Sequence, residues 1–204
     1  MAAIRAIGFD YLGVVARLPA GDFFDEVAEL AQAPRSKVKA TYGHHSRAFQ
    51  TNQMDMATLW RHVAADLGIA DRFEALWRAA NQRVPIIDLD ALKLVEQLRQ
   101  AQYRVGLLSN LAAGTPWAEH FYGQHVDRHF DAVGLSGEIG FAKPDIAAFE
   151  WLASSLGVRC DEMIFIDDRL ESMAGVEAMG IRPILYHNLE QLKNDLLDLN
   201  VELD

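Results

Sequence analysis

Cysteine occurs once in these 204 residues, at Cys160, so no internal disulfide can form. A chain without disulfides fits a reducing compartment, and the cytoplasm is the expected location. Basic residues are outnumbered, 19 Lys and Arg against 29 Asp and Glu, for a formal net charge of −10. A surface of that sign repels phosphate backbones and anionic bilayers, so neither nucleic acid nor membrane is an expected partner. Long hydrophobic runs are missing too. Asp10 interrupts the first apolar stretch too early for a secretory leader, and no segment is long enough to span a bilayer. No coiled coil or internal repeat is visible, which leaves the oligomeric state open.

Half of the residues are apolar, enough for one α/β domain and a small second unit. Short apolar runs at Ile4–Phe9, Tyr103–Leu108, Met163–Ile166 and Arg182–Tyr186 read as strands covered on both faces. Helical patterns alternate with them. Asp88 or Asp90 can cap a helix carrying Leu92, Leu94, Val95 and Leu98. Ile146–Leu156 starts at Asp145 and stops at Gly157, and Leu170–Met179 stops at Gly180. Leu189–Leu199 reads as a last amphipathic helix. Such alternation predicts a parallel sheet with helices on both faces.

Between about Ala16 and Pro85 no strand pattern is visible. Phe23–Ala33, Met56–Leu67 and Arg72–Arg83 read as helices with apolar faces. The expected division is therefore an α/β core of residues 1–16 and 86–204, with an all-helical insert at 17–85. An insert that leaves the sheet just after Asp10 would sit over that strand end as a cap.

Chemistry-bearing residues cluster where strands end. Asp10 follows the first strand, Ser109-Asn110 the second, and Asp167-Asp168 the third. Lys143 lies in the loop Gly140-Phe141-Ala142-Lys143-Pro144-Asp145. In a parallel sheet those ends lie side by side, so residues distant in sequence can meet in one pocket. Singly, each has a plain alternative: Ser109-Asn110 or Asp167-Asp168 as turns or helix caps, Lys143 as a solvated loop charge, Asp10 as a turn residue. Together they make a hard-oxygen site suited to Mg2+. A hydroxyl and backbone N–H groups can hold phosphate, and a lysine can offset charge on the transferring group. An aspartate can attack phosphorus.

The set resembles the haloacid dehalogenase (HAD) superfamily. Phe9-Asp10-Tyr11-Leu12-Gly13-Val14 is similar to its first motif and Leu108-Ser109-Asn110 to its second. Gly140–Asp145 is similar to the third, and Phe165-Ile166-Asp167-Asp168-Arg169 to the fourth. The resemblance implies a Rossmann-like core, a helical cap after the first motif, a Mg2+ cofactor and a small phosphorylated substrate. It implies Asp10 as nucleophile and metal ligand, and Lys143 beside the phosphoryl group. Ser109 and the backbone of Asn110 would hold that group. The Leu12 backbone carbonyl, Asp167 and Asp168 would complete the metal site, with the direct ligand of the last two left open.

One departure stands out. Phosphatases of this superfamily usually carry Asp where this chain has Leu12, and that Asp serves as general acid and base. Ser172 likewise stands where Asn is common. Three functions follow. The first is a phosphatase using an aspartyl-phosphate on Asp10, slow or confined to good leaving groups such as acyl or phenolic phosphates. The second is a phosphate-binding or regulatory protein without turnover. The least favoured is an L-2-haloacid dehalogenase, whose leaving halide needs no proton. The acidic pair Asp167-Asp168 and Tyr11, one place after the nucleophile rather than two, argue against it. His44-His45, His120, His125 and His129 read as surface residues, and Trp60 and Trp77 as core of the insert. Arg17 reads as a hinge charge, with contact to an anionic substrate as the alternative, and Cys160 as an inert thiol.

Overall fold

The computed structural model describes residues 2–19, 23–81 and 84–203. Five parallel strands form the main sheet: β1 (Ala6–Phe9), β4 (Arg104–Ser109), β5 (Ala132–Leu135), β6 (Met163–Asp167) and β7 (Arg182–Leu185). Their order is β5-β4-β1-β6-β7. The chain leaves β1, builds one side of the sheet, then crosses back to build the other. The C-terminal end of β1 is therefore the switch point of the topology, where ligands bind in sheets of this kind.

The two faces of the sheet bury different residues. Ile7 and Phe9 of β1, Val105 and Leu107 of β4, and Ile164 and Ile166 of β6 point into one core. That core is closed by α5 (Leu89–Gln100), α6 (Pro116–Gly123) and α9 (Leu189–Asp198). On the other face, Gly8 of β1, Gly106 of β4 and Gly134 of β5 lie beneath α8 (Ile146–Leu156). A Cβ on Gly8 would meet Phe165 at 2.6 Å and Leu152 at 2.8 Å, and one on Gly134 would meet Trp151 at 2.6 Å. These glycines leave room for the large side chains of α8 and β6, so that helix seats directly on the sheet.

Caps and stops follow local chemistry. Asp88 accepts the Asp90 and Ala91 N–H groups and opens α5. Gly157, at φ +69°, ends α8. One expectation needs correction. Leu170–Met179 is not one helix but two 3-10 turns, Leu170–Met173 and Val176–Met179, split where Gly175 turns left-handed at φ +85°. The helix expected to start at Asp145 does so, and the Asp145 carboxylate pairs with Arg47 of the insert rather than with the helix N–H groups.

Between β1 and α5 lie α1 (Phe23–Ala31), α2 (Arg35–Gln50), α3 (Met56–Asp66) and α4 (Phe73–Asn81). Of the expected helix Arg72–Arg83, residues 82 and 83 lie outside the described residues. The long α2 carries a weak apolar stripe and is not among the expected helices. Val27, Val38, Leu59, Val63 and Leu76 pack into a core of their own, separate from the two sheet cores. Its stems pair as a short antiparallel ribbon, β2 (Ala16–Arg17) with β3 (Ile86–Ile87), so the segment expected to lack strands begins with one. Besides the Arg47–Asp145 ion pair, the Ser136 hydroxyl donates to the Gln50 carbonyl at 2.6 Å, tying α2 to α7 (Ser136–Ile139). No described helix is long and apolar enough to cross a membrane.

The close seat of α8 makes a test. Gly8→Ala places a methyl where Phe165 and Leu152 already sit, and overpacking of this kind costs about 1–3 kcal/mol. Urea unfolding should show that loss, whereas Gly43→Ala, with open space around the added Cβ, should not.

Candidate active site

Asp10 extends the ladder by one residue: its N–H donates to the Ile166 carbonyl at 2.9 Å. Its Oδ1 accepts the Tyr11 N–H at 2.7 Å, which fixes the carboxylate at the strand end. The chain then turns back, the Gly13 N–H donating to the Ala16 carbonyl at 2.7 Å. Gly13 has φ +101°, and a Cβ there would lie 2.3–2.6 Å from the Asp168 carboxylate. Only glycine allows both the turn and the approach of Asp168 to it. Leu12 is half-buried, packs on the sheet core and lines the cavity described below.

Lys143 is the centre of the site. Its Nζ lies 2.9 Å from Asp10 Oδ1 and 2.5 Å from Asp167 Oδ2, and 5.1 Å from the centroid of the Phe165 ring. The side chain is 2 % exposed. A buried ammonium is tolerable here because it faces two carboxylates. Asn110 holds the loop in place: its Nδ2 donates to the Lys143 carbonyl at 2.8 Å and its Oδ1 accepts the Lys143 N–H at 2.7 Å. That side-chain clamp gives Asn110 a positioning contact not anticipated from sequence. Ser109 is buried at the end of β4.

Asp167 is fully buried, and its other oxygen accepts the Arg169 N–H at 2.9 Å. Burial, reinforced by the charge of Asp10, pushes its carboxyl up to about 6 against the downward pull of Lys143. Asp168 is exposed at the rim, and the surrounding protein and Asp10 raise its carboxyl as well. Asp10, Asp167 and Asp168 each bring a carboxylate oxygen to within 4.8 Å of the others. Three such groups fit a hard divalent cation with oxygen preference, and among the described residues they alone cluster this way.

Above this floor opens a cavity of about 590 Å3. Asp10, Leu12, Ser109, Asn110 and Lys143 line its base; α1, α2 and α3 close it with Phe24, Tyr42, Phe49, Met56 and Trp60. Trp60 belongs both to the core of the insert and to the cavity wall. Arg169 and Trp117 also line the cavity and carry no motif that would single them out. Arg17 is exposed on β2, away from the lining. His45 pairs with Asp66 at 2.8 Å, His44 is exposed, and Cys160 is half-buried. His125 is exposed and His120 and His129 are half-buried, and none of the three lines the cavity.

Comparison with known proteins places this geometry. The sequence pattern of haloacid dehalogenase-like hydrolases matches residues 4–180. A glyceraldehyde 3-phosphate phosphatase from Methanopyrus kandleri is 29% identical over 112 residues, 52% of this chain and 48% of that protein. A drimenol cyclase from Aspergillus calidoustus is 27% identical over 109 residues, 53% of this chain but 20% of its own length. The chain thus spans about half of the phosphatase and a fifth of the cyclase. Among solved structures, a HAD-like hydrolase from Porphyromonas gingivalis superposes with TM-score 0.71 at 21% identity, covering 98% of this chain and 100% of its own. A HAD family enzyme from Bacteroides thetaiotaomicron, solved in complex with magnesium and inorganic phosphate, superposes with TM-score 0.62 at 19% identity, covering 93% and 99%. Likeness at such identities speaks for the fold. With the family pattern running from before β1 to beyond β6, the chain belongs to the haloacid dehalogenase-like hydrolases.

Proposed function

We propose that the protein is a magnesium-dependent phosphatase of small phosphorylated metabolites, working through an aspartyl-phosphate on Asp10 in a cytoplasmic setting. The observation that carries this reading is the buried Lys143, bridging Asp10 and Asp167 at the floor of the cavity, with Asp168 completing the acidic trio. The phosphatase relatives and the magnesium and phosphate complex of the Bacteroides neighbour support it.

Asp10, Asp168, Asp167 and the Leu12 carbonyl are the groups we assign to the metal. Asp168 is the better direct ligand, because both oxygens of Asp167 are engaged, one with Lys143 and one with the Arg169 N–H. Bound magnesium supplies positive charge that shields the phosphoryl oxygens from an anionic nucleophile. Asp10, held by the Tyr11 N–H and Lys143, presents its carboxylate to phosphorus. Ser109 and the Asn110 backbone take the phosphoryl oxygens, while the Asn110 side chain keeps Lys143 beside them. We read helices α1–α4, within residues 17–85, as a cap that shields the reacting groups from bulk solvent while the hydrolytic water is admitted. Leu12 gives no proton to the leaving group and takes none from water, so both halves of the cycle run without that help.

Asp10→Asn should lower turnover of p-nitrophenyl phosphate by ~10³-fold or more while circular dichroism stays unchanged. A variant as active as the parent removes Asp10 as nucleophile. No release of nitrophenol by the parent protein, with phosphate still bound, supports the binding protein without turnover. Leu12→Asp should raise kcat on alkyl phosphates by ~10-fold or more, a part of the 10²–10⁴ that general acid–base catalysis supplies.

The buried Asp167 sets a pH dependence. Its carboxyl titrates at about 6 in the fold against 3.8 ordinarily, so the metal-free protein loses that group's contribution as pH rises through this window. Above it Asp167 is ionised and the acidic trio calls for a cation. Magnesium should therefore raise Tm clearly at about pH 7.5 and far less at about pH 5. Equal shifts at both values argue against metal binding at this trio.

A further inference from the structure

We propose that the group released by the reaction is a phenol: the substrate class is aryl monophosphates with an apolar ring system. The inference rests on the reading of Asp10 as phosphoryl acceptor and deepens it. Two independent observations lead to it, one about the shape and chemistry of the cavity and one about Leu12.

The cavity divides sharply. Among the described lining residues, charge is limited to Asp10 and Lys143 at the floor and to Arg169, whose guanidinium lies close enough to Tyr42 to act on its hydroxyl. Lys143 is already held by two carboxylates. Among the described lining residues, those from α1, α2, α3 and α6 carry no charged side chain. A second phosphate or a carboxylate on a substrate would find Arg169 as its cation, and along α1, α2, α3 and α6 it would be desolvated without a charged partner. Neutral polar groups line the cavity at Gln50, Thr115 and Ser172, and the Thr115 hydroxyl already donates to the Ala112 carbonyl at 2.9 Å and accepts the Ala118 N–H.

The far wall is aromatic and braced. Phe24 meets Tyr42 edge-on with centroids 5.4 Å apart, and Tyr42 leans on Trp60 at 5.5 Å. Phe49, Met56 and Trp117 extend this lining. Rings held against one another form a fixed surface that takes a planar apolar body by stacking and edge contacts. The volume of about 590 Å3 falls within the ~300–1,000 Å3 that pockets for compact organic ligands occupy.

Leu12 selects the leaving group. With no acid at that position, the departing oxygen must carry its own negative charge. A phenol ionises at about 10, as tyrosine does. An alkanol resembles water in ionising only at far higher pH, and leaves far less readily. In the first step an Asp10 carboxylate oxygen bonds to phosphorus as the phosphorus–oxygen bond to the ring breaks, and the electron pair stays on the phenolate. Water then attacks phosphorus, orthophosphate departs, the Asp10 carboxylate is restored, and the proton from water ends on the phenolate. The sum is aryl phosphate plus water giving phenol plus phosphate.

The test compares kcat/KM, which reports the phosphoryl transfer itself, for 1-naphthyl phosphate, decyl phosphate, glycerol 3-phosphate and a hexose 6-phosphate on the magnesium-loaded protein. Naphthyl phosphate should lead each of the others by at least about 100-fold, the lower end of what a missing general acid costs. Calorimetry with 1-naphthylmethylphosphonate and methylphosphonate, neither of which can be hydrolysed, should show the naphthyl compound bound at least ~10-fold more tightly. Decyl phosphate matching naphthyl phosphate overturns the phenol. Glycerol or hexose phosphate leading overturns the substrate class and leaves the phosphatase standing. Turnover of none of the four, with neither phosphonate bound, overturns the phosphatase reading itself.

Discussion

Three carboxylates meeting within 4.8 Å repel one another, and the buried ammonium of Lys143 is what makes their meeting tolerable. Its charge offsets two of them at hydrogen-bonding distance in a place where water cannot. The rest of the site is arranged to keep that charge there. Asn110 grips the Lys143 backbone from both sides, and the edge of Asp167 left over is satisfied by the Arg169 N–H. Asp167 still titrates high because burial outweighs the attraction of the lysine. The third carboxylate, on Asp168, stays at the rim where a cation can reach it.

The sheet exists in the form that this cluster requires. β1 is central, so its C-terminal end receives residues from β4 on one side and β6 on the other. Glycines at 8, 106 and 134 let α8 close on the sheet. The loop carrying Lys143 leads directly into that helix, and Asp145 at its start is tied by Arg47 to the insert above. The closeness of α8 and the seating of the helical insert thus bear on one short stretch of chain, 143–145.

Leu12 gives the site its character. At its position a carboxylate would be a fourth acidic group beside an already crowded trio. Leucine instead packs partly on the sheet core and presents an apolar side to the cavity. On the proposed reading, the floor keeps the groups for phosphoryl transfer, while the demand for an easily ionised leaving group passes to the substrate. The insert contributes an aromatic lining above that floor, which is what the proposed aryl substrates would meet.

Four strands, the strand-end carboxylates, Ser109 and Lys143 were legible in the sequence because short apolar runs and the residues that stop them are local signals. So were the Asp88 cap and the Gly157 stop, each set by a few neighbouring dihedrals and hydrogen bonds. β5 was not, since Ala132-Val133-Gly134-Leu135 has little strand character of its own and owes its form to pairing with β4. The split of 170–179 at Gly175 escaped because a glycine within an apolar pattern reads equally well as helix. Family resemblance supplied roles for Asp10 and its partners, yet it did not reveal that Asn110 spends its side chain on Lys143, 33 residues away. Nor did it show Phe24, Tyr42 and Trp60 turning one side of the insert into the wall of the cavity. Those features depend on which distant surfaces meet, and only the packing of the insert against the end of the sheet decides that.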